Sequence, residues 1–257
     1  MNFGISGKKA LVTAASRGLG RSIAQSLANE GVQVAVTSRN RAELDSFLKE
    51  NSGSHYAIDL DLSATDGPKK LVDNMLKDFG APDIIVHNMG GTMDVNDPFC
   101  SIEDWRKIYR FNLEVAIELN IAFVPLMQKR KWGRVVHISS ISALENQGPP
   151  AYCAIKAALT AYTRSLGRYV SADGVSVSAV LPGAVFTEGG YWDTAVKNRP
   201  EHVDKYLKER MAIQRFGTPN EIGDVVAFLC SQQSSFIVGS SILVDGGQGR
   251  CFQREGE

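Results

Sequence analysis

Cysteine is scarce in this chain. The four that occur, Cys100, Cys153, Cys230 and Cys251, lie far apart and form no CxxC pair, which excludes a disulfide framework or a zinc knuckle and points to a reducing compartment. No charge sign dominates either. Lys+Arg number 28 against 28 Asp+Glu, and no basic block is present, so nucleic acid is an improbable partner and a metal site is not expected. Uninterrupted apolar runs of about 18 residues, the length of a membrane-spanning helix, are also missing. After Lys8-Lys9 only a seven-residue, weakly apolar run precedes Arg17, too short for a secretory signal. The expectation is a cytoplasmic protein with no membrane partner.

The composition of what remains, 44% hydrophobic and 22% charged over 257 residues, suits one globular α/β domain spanning 1–257. Short β-branched runs alternate with helical patterns: Lys9 to Thr13 then Leu19 to Glu30, Gln33 to Thr37 then Arg41 to Asn51, and His55 to Ile58 then Thr65 to Phe79. The rhythm continues with Asp83 to His87 and a long helix near Ile102 to Arg130, then Arg134 to Ile138 and Ala151 to Val170, then Val175 to Leu181 and a late strand Ile242 to Val244. Runs such as Ile84-Ile85-Val86 show no polar alternation, as in parallel strands covered on both faces. The predicted architecture is a single-domain, doubly wound (Rossmann) parallel sheet with helices on both faces. Two segments break the rhythm: the turn-rich loop Met89 to Ser101, and an insertion from Pro182 to Thr218 whose central part, about 183–217, is long enough to form a substrate lid. Both follow strand carboxyl ends, where ligands bind in open α/β sheets.

Thr13-Ala14-Ala15-Ser16-Arg17-Gly18-Leu19-Gly20 joins the first strand to the first helix. Glycines there let the backbone approach a pyrophosphate, and the helix start offers unpaired N–H donors. About 20 residues further on, a dinucleotide fold reads the ribose, with an acid for NAD or an arginine for NADP. The second strand ends in Thr37-Ser38-Arg39-Asn40 with no acid. Arg39, with Arg17 at the turn, therefore favours NADP(H) over NAD(H) through charge-assisted bonds to a 2′-phosphate. Tyr152 and Lys156 stand at i and i+4 on an Ala-rich helix and share one face. An ammonium near a phenol favours phenolate and brings the Tyr pKa toward working pH, the requirement for general acid–base catalysis. Ser139 and Ser140, just past the fifth strand, offer a hydroxyl to the same carbonyl oxygen, and Asn112 comes from the long preceding helix.

Taken in order, Thr13 to Gly20, His87-Asn88-Met89-Gly90, Asn112, Ser140, Tyr152 and Lys156 resemble the motifs of the short-chain dehydrogenase/reductase family, from about Gly7 to Gly247. The resemblance implies hydride exchange between a nicotinamide and a carbonyl or alcohol carbon. It casts Tyr152 as the proton donor or acceptor and Ser140 as the group that hydrogen-bonds the reacting oxygen. Lys156 lowers the Tyr pKa and binds the nicotinamide ribose, and Asn112 supports a water relay from Lys156 to solvent. By the same resemblance Asp61-Leu62 contact the adenine, with Asp59-Leu60 as a competing register. Asn88 steadies the sheet and Gly90 passes close to the cofactor, while Pro182-Gly183, Val185 and Thr187 line the nicotinamide side. Val244-Asp245-Gly246-Gly247 corresponds to the closing strand. Family members associate through the Tyr152 helix and its predecessor, which implies a homotetramer or homodimer. The exposed or packed state of Ala154, Ala157, Ala158 and Ala161 decides whether that helix face is available.

The departures are informative. Ala14 replaces the first motif glycine and strains the turn if that position needs positive φ. His87 and Met89 replace Asn and Ala; His87 is either a titrating group or a histidine hydrogen-bonded in place. Ser140 precedes Tyr152 by twelve positions and Ser139 by thirteen, so both serines stay in contention. Glu145-Asn146-Gln147 and, in the insertion, Glu188, Tyr191, Trp192, Lys197, Arg199, His202 and Lys205 suggest a small polar or carrier-linked carbonyl substrate, unless they lie on the lid's outer face. The primary expectation is an NADPH-dependent carbonyl reductase. The alternatives are an NAD-dependent alcohol or sugar dehydrogenase and a non-catalytic dinucleotide-binding protein.

Overall fold

Seven short runs of apolar, largely β-branched residues become the strands of one sheet, in the order β3-β2-β1-β4-β5-β6-β7. The computed structural model describes residues 2–250, so Cys251 lies outside the described residues. The strands are β1 (Lys9–Thr13), β2 (Gln33–Ser38), β3 (Tyr56–Asp59), β4 (Ile84–His87), β5 (Gly133–Ile138), β6 (Val175–Pro182) and β7 (Ser241–Val244). Every neighbouring pair is parallel. The doubly wound sheet is therefore as expected. Its strand order reverses between β1 and β4, and that crevice at the strand carboxyl ends is where such sheets bind ligands.

Side chains from successive strand residues alternate between two cores. One holds Val12, Val36, Val86 and Val136 with Ile23, Leu27, Phe47, Ile222 and Val226. These come from α1 (Gly18–Asn29), α2 (Arg41–Glu50) and α9 (Pro219–Leu229). The other holds Leu11, Ile85, Val135 and Val177 with Leu71, Leu119, Phe123 and Met127, from α3 (Gly67–Asn74) and α5 (Val115–Lys129). Gly223 allows α9 to lie against α1: a Cβ there would meet the Ser26 hydroxyl at 2.5 Å and the Ser22 carbonyl at 3.0 Å.

Three local features differ from the sequence reading. The helix expected from Ile102 to Arg130 is divided into α4 (Ile102–Tyr109) and α5 by a π-turn at Arg110–Glu114. The insertion after β6 carries α7 (Tyr191–Asn198) and α8 (Pro200–Arg210). Helix α9 was not foreseen, although Thr218 and Glu221 form a reciprocal capping box at its start. The remaining helix, α6 (Pro150–Val170), carries Tyr152 and Lys156. No helix among the described residues is long and apolar enough to cross a membrane.

Beneath the carboxyl ends of β4 and β5, His87 and His137 are register partners and stack with ring centroids 5.0 Å apart. His87 Nε2 donates to Asn120 Oδ1 at 2.9 Å. The Asn120 amide in turn donates to His137 Nε2 at 3.2 Å, and His137 Nδ1 donates to Thr163 Oγ1 at 2.9 Å. The network closes only with His137 neutral, since a proton on its Nε2 would oppose the Asn120 N–H. His87 is thus hydrogen-bonded in place, and burial lowers its pKa to about 4; burial drives His137 well below its ordinary value. Because the unfolded value is about 6.5, the stability that depends on neutral imidazoles is present above that pH and is lost as pH falls toward 4. Urea titrations at pH 7, 5.5 and 4.5 should show a steep acid loss of unfolding free energy. His87→Gln should flatten that slope by about one proton, and an unchanged slope would contradict this account.

Candidate active site

The turn after β1 is held from beneath. Thr13 Oγ1 accepts the N–H groups of Asn88 at 3.0 Å and Met89 at 3.1 Å, and donates to the Val86 carbonyl at 3.4 Å. The Asn88 amide donates to the carbonyls of Thr13 and Ala14, both at 3.1 Å. β1 and β4 are thereby cross-linked at the reversal point. Gly20 supports the same turn, since a Cβ there would fall 2.3 Å from the Ala14 carbonyl oxygen. Thr13 and Gly20, read from the sequence as cofactor contacts, shape the turn from behind and do not line the cleft. The methyl group of Ala14 is carried at φ +52°, the left-handed conformation that glycine adopts without penalty.

The cleft encloses about 810 Å³, the size of a site for a sizeable organic ligand. Ser16, Arg17, Gly18 and Leu19 border it at the start of α1. No side chain caps that helix start, and its first turn holds no acid. Unpaired N–H donors facing a cleft fit the phosphates of a dinucleotide. On the β2 and β3 side the border is Ser38, Arg39, Asp61 and Leu62. Asp59 instead pairs with Arg41 at 3.1 Å and does not line the cleft, whereas Leu60 does so beside Asp61 and Leu62. The Ser63 hydroxyl, with Arg39 nearby, holds the Asp61 carboxyl below its usual range.

On the β5 and β6 side the cleft is lined by Ser139, Ser140, Tyr152, Lys156, Pro182, Gly183, Val185 and Thr187. The two serines diverge. Ser139 Oγ is tied to the Lys156 carbonyl at 3.2 Å and to Thr160 Oγ1 at 3.0 Å, whereas the Ser140 hydroxyl donates to Ser142 Oγ at 3.0 Å and pulls the Tyr152 pKa down. Lys156 is buried and its Nζ donates to the Ile138 carbonyl at 2.9 Å. Burial lowers its pKa to about 7. Burial also raises that of Tyr152, and the downward pull comes from the Ser140 hydroxyl. Lys156 Nζ, expected to supply that pull, lies 5.6 Å from the Tyr152 ring centroid, and burial disfavours its charge.

Gly90 borders the cleft between the functional groups behind it, since a Cβ there would lie 2.8 Å from both Asn112 Oδ1 and Lys156 Nζ. Asn112 itself is 2% exposed and does not reach the cleft. From the π-turn it accepts the Gly91 N–H at 2.9 Å and donates to the carbonyls of Gly91 and Ile108 at 2.9 and 3.0 Å. Sequence reading did not name the apolar liners Met89, Phe111 and Ile138 as site residues, although Met89 falls within the His87-Asn88-Met89-Gly90 motif.

A family model described as enoyl-(acyl carrier protein) reductase matches residues 13–248. The chain belongs to the short-chain dehydrogenase/reductase family. It is 32% identical over 252 residues to the 3-oxoacyl-[acyl-carrier-protein] reductase FabG of Aquifex aeolicus, covering 96% of this chain and 99% of that protein. It is 33% identical over 249 residues to FabG of Staphylococcus aureus, covering 93% and 97%. Among solved structures, L-sorbose reductase from Gluconobacter frateurii, complexed with NADPH and L-sorbose, superposes with a TM-score of 0.90 at 29% identity, covering 96% of this chain and 98% of that one. A 3-oxoacyl (acyl-carrier-protein) reductase from Agrobacterium tumefaciens with NADP bound gives 0.87 at 30% identity, covering 96% of each. The protein is an oxidoreductase of this family that acts between C=O and CH–OH with NADP(H).

Within this family member the polar side chains that suggested a polar substrate are mostly elsewhere. Glu188 and Trp192 line the cleft; Glu145, Asn146, Gln147, Tyr191, Lys197, Arg199, His202 and Lys205 do not. Lys197 is paired with Asp193 at 2.9 Å, and Arg199 reaches the Tyr191 hydroxyl at 3.2 Å. Instead, Trp192 packs with Tyr206 and Phe216 at ring-centroid distances of 4.5 and 4.8 Å. These residues anchor the insertion after β6 through aromatic packing.

The strain at Ala14 can be measured. Left-handed alanine costs about 1 kcal/mol relative to glycine, so Ala14→Gly should raise Tm by about 2–4 °C. Fluorescence titration should show NADPH binding tightened up to about fivefold. A lower Tm would show that the turn is relaxed as it stands.

Proposed function

We propose that the protein reduces a ketone to an alcohol with Tyr152 as the general acid. The observation that carries this reading is the convergence of Ser140, Tyr152 and Lys156 on one end of a cleft whose other end presents Arg17 and Arg39. The bound dinucleotide supplies the hydride. Tyr152 donates its phenolic proton to the carbonyl oxygen, while Ser140 hydrogen-bonds that oxygen and steadies the charge that develops there. Lys156 returns a proton to Tyr152 from the interior, and Asn112, one glycine away, holds the backbone of Gly91 beside it and forms the inner end of a proton path. Arg39, aided by Arg17, receives the 2′-phosphate. The polyhydroxy ketone of L-sorbose reductase and the 3-oxoacyl thioesters of the FabG relatives both place an oxygen function near the reacting carbonyl, and we assign that substrate class here. The free thiols of Cys100, Cys153 and Cys230 suit a reducing cytoplasm.

We further infer that the chain, one domain with the lid as its insertion, self-associates through the outer faces of α5 and α6 as a dimer or tetramer. Ala154, Ala157, Ala158 and Ala161 are all exposed, and Ile121 and Tyr169 are 69% and 88% exposed.

Tyr152→Phe should reduce turnover by at least about a hundredfold while NADPH affinity stays within about twofold; an undiminished rate would remove Tyr152 from the mechanism. Arg39→Asp should reverse the preference between NADPH and NADH, and an unchanged ratio would remove Arg39 as the phosphate reader. Ala158→Glu should yield a smaller species by light scattering; wild-type mass in the variant would exclude this helix from the contact.

A further inference from the structure

Gln248 follows the closing strand, and it is 2% exposed. A carboxamide buried so deeply needs partners for each polar atom, and it has them. Its Oε1 accepts the Ala184 N–H at 2.7 Å, one residue beyond the Pro182-Gly183 wall of the cleft. Its Nε2 donates to Gln147 Oε1 at 2.7 Å and to the Tyr206 hydroxyl. Gly183 leaves the room for this arrangement, since a Cβ there would fall 2.6 Å from Gln248 Oε1.

Each partner leads to a wall of the substrate end. The Gln147 carbonyl accepts from the Ser142 hydroxyl, and that hydroxyl accepts from Ser140 at 3.0 Å. The Tyr206 ring, on lid helix α8, packs 4.5 Å from Trp192, which lines the cleft. One side chain therefore ties together the exit of β6, the loop that bears Ser140 and the lid that bears Trp192. Glutamine suits the post: a carboxylate would keep the bond to Ala184 but lose both donors, and asparagine is one methylene short.

We propose that Gln248 is a positioning residue that clasps the lid to the Ser140 loop and so fixes the width of the substrate end between Trp192 and Ser140. It acts through Tyr206 and Gln147 and touches neither substrate nor cofactor. Its kinetic consequence rests on the reductase reading; its structural consequence does not.

The test uses the full chain with Gln248→Ala, Gln248→Glu and Tyr206→Phe. Trypsin cleavage in the lid, after Lys197, Lys205 and Lys208, should accelerate about tenfold in both Gln248 variants and about threefold in Tyr206→Phe, because local opening sets the rate. NADPH affinity by fluorescence should stay within about twofold. With L-sorbose and an acetoacetyl thioester as probes, KM should rise about tenfold while kcat changes less than about threefold. Tyr206→Phe should add little to Gln248→Glu, as expected of residues in one network. Wild-type lid cleavage in the variants would overturn the clasp. So would a lowered Tm with KM unchanged, which marks a merely structural residue. Should Gln248→Ala not fold, Tyr206→Phe, which removes one hydroxyl, decides by the same readouts. A loosened lid in a protein whose wild type turns over neither ketone would preserve the clasp and overturn the substrate assignment.

Discussion

The cross-link between β1 and β4 is the constraint on which the site depends. Parallel strands diverge at their reversal point because the chain leaves β1 toward one face and β4 toward the other. The crevice that results would be a weak seam without polar bonds across it. Thr13 and Asn88 supply them, with one hydroxyl and one carboxamide engaging backbone groups of both strands. The phosphate turn, the start of α1 and the Gly90 segment are all positioned from this seam. That explains why Thr13 and Gly20 belong to the motif yet face away from the cleft: they set the backbone that the ligand meets.

Much of this was legible in the sequence because it depends on short-range rules. Unbroken apolar runs identified the parallel strands, the Gly18-Leu19-Gly20 turn marked the phosphate end, and the four-residue spacing of Tyr152 and Lys156 placed both on one helix face. The absence of an acid after β2, together with Arg39, indicated the cofactor. What stayed hidden depends on contacts between distant segments. Ser139 differs from Ser140 in being tied to Thr160 and the Lys156 carbonyl, which spacing alone does not report. The π-turn that aims Asn112 at Gly91 leaves no periodicity signal, since it shifts the helix by a single residue. The capping box at Thr218 was a local signal and could have been read.

The insertion after β6 shows the limit of reasoning from composition. Its charged residues suggest a polar pocket, yet most of them do not line the cleft, and Trp192, which does, packs against Tyr206 and Phe216 behind it. Long charged side chains are easily satisfied in solvent, whereas Trp192, Tyr206 and Phe216 gain more from burial against one another. Residue type in a lid thus reports how the lid is anchored before it reports what the lid encloses. Polarity at the substrate end comes from few groups, chiefly Ser140, Tyr152 and Glu188.

Lys156 joins these themes. Its ammonium is disfavoured by burial, which brings its pKa to about 7, and among the described residues only the Ile138 carbonyl accepts from it. An amine in that state has donor capacity left over, and its remaining open side is the cleft. A hydroxyl-bearing ligand placed there would complete the hydrogen bonding of the charged form and raise the Lys156 pKa. The same event would lower that of Tyr152, because a stabilised positive charge nearby favours the phenolate. Burial thus raises the Tyr152 pKa and lowers that of Lys156, and such a ligand would act on each in the opposite sense.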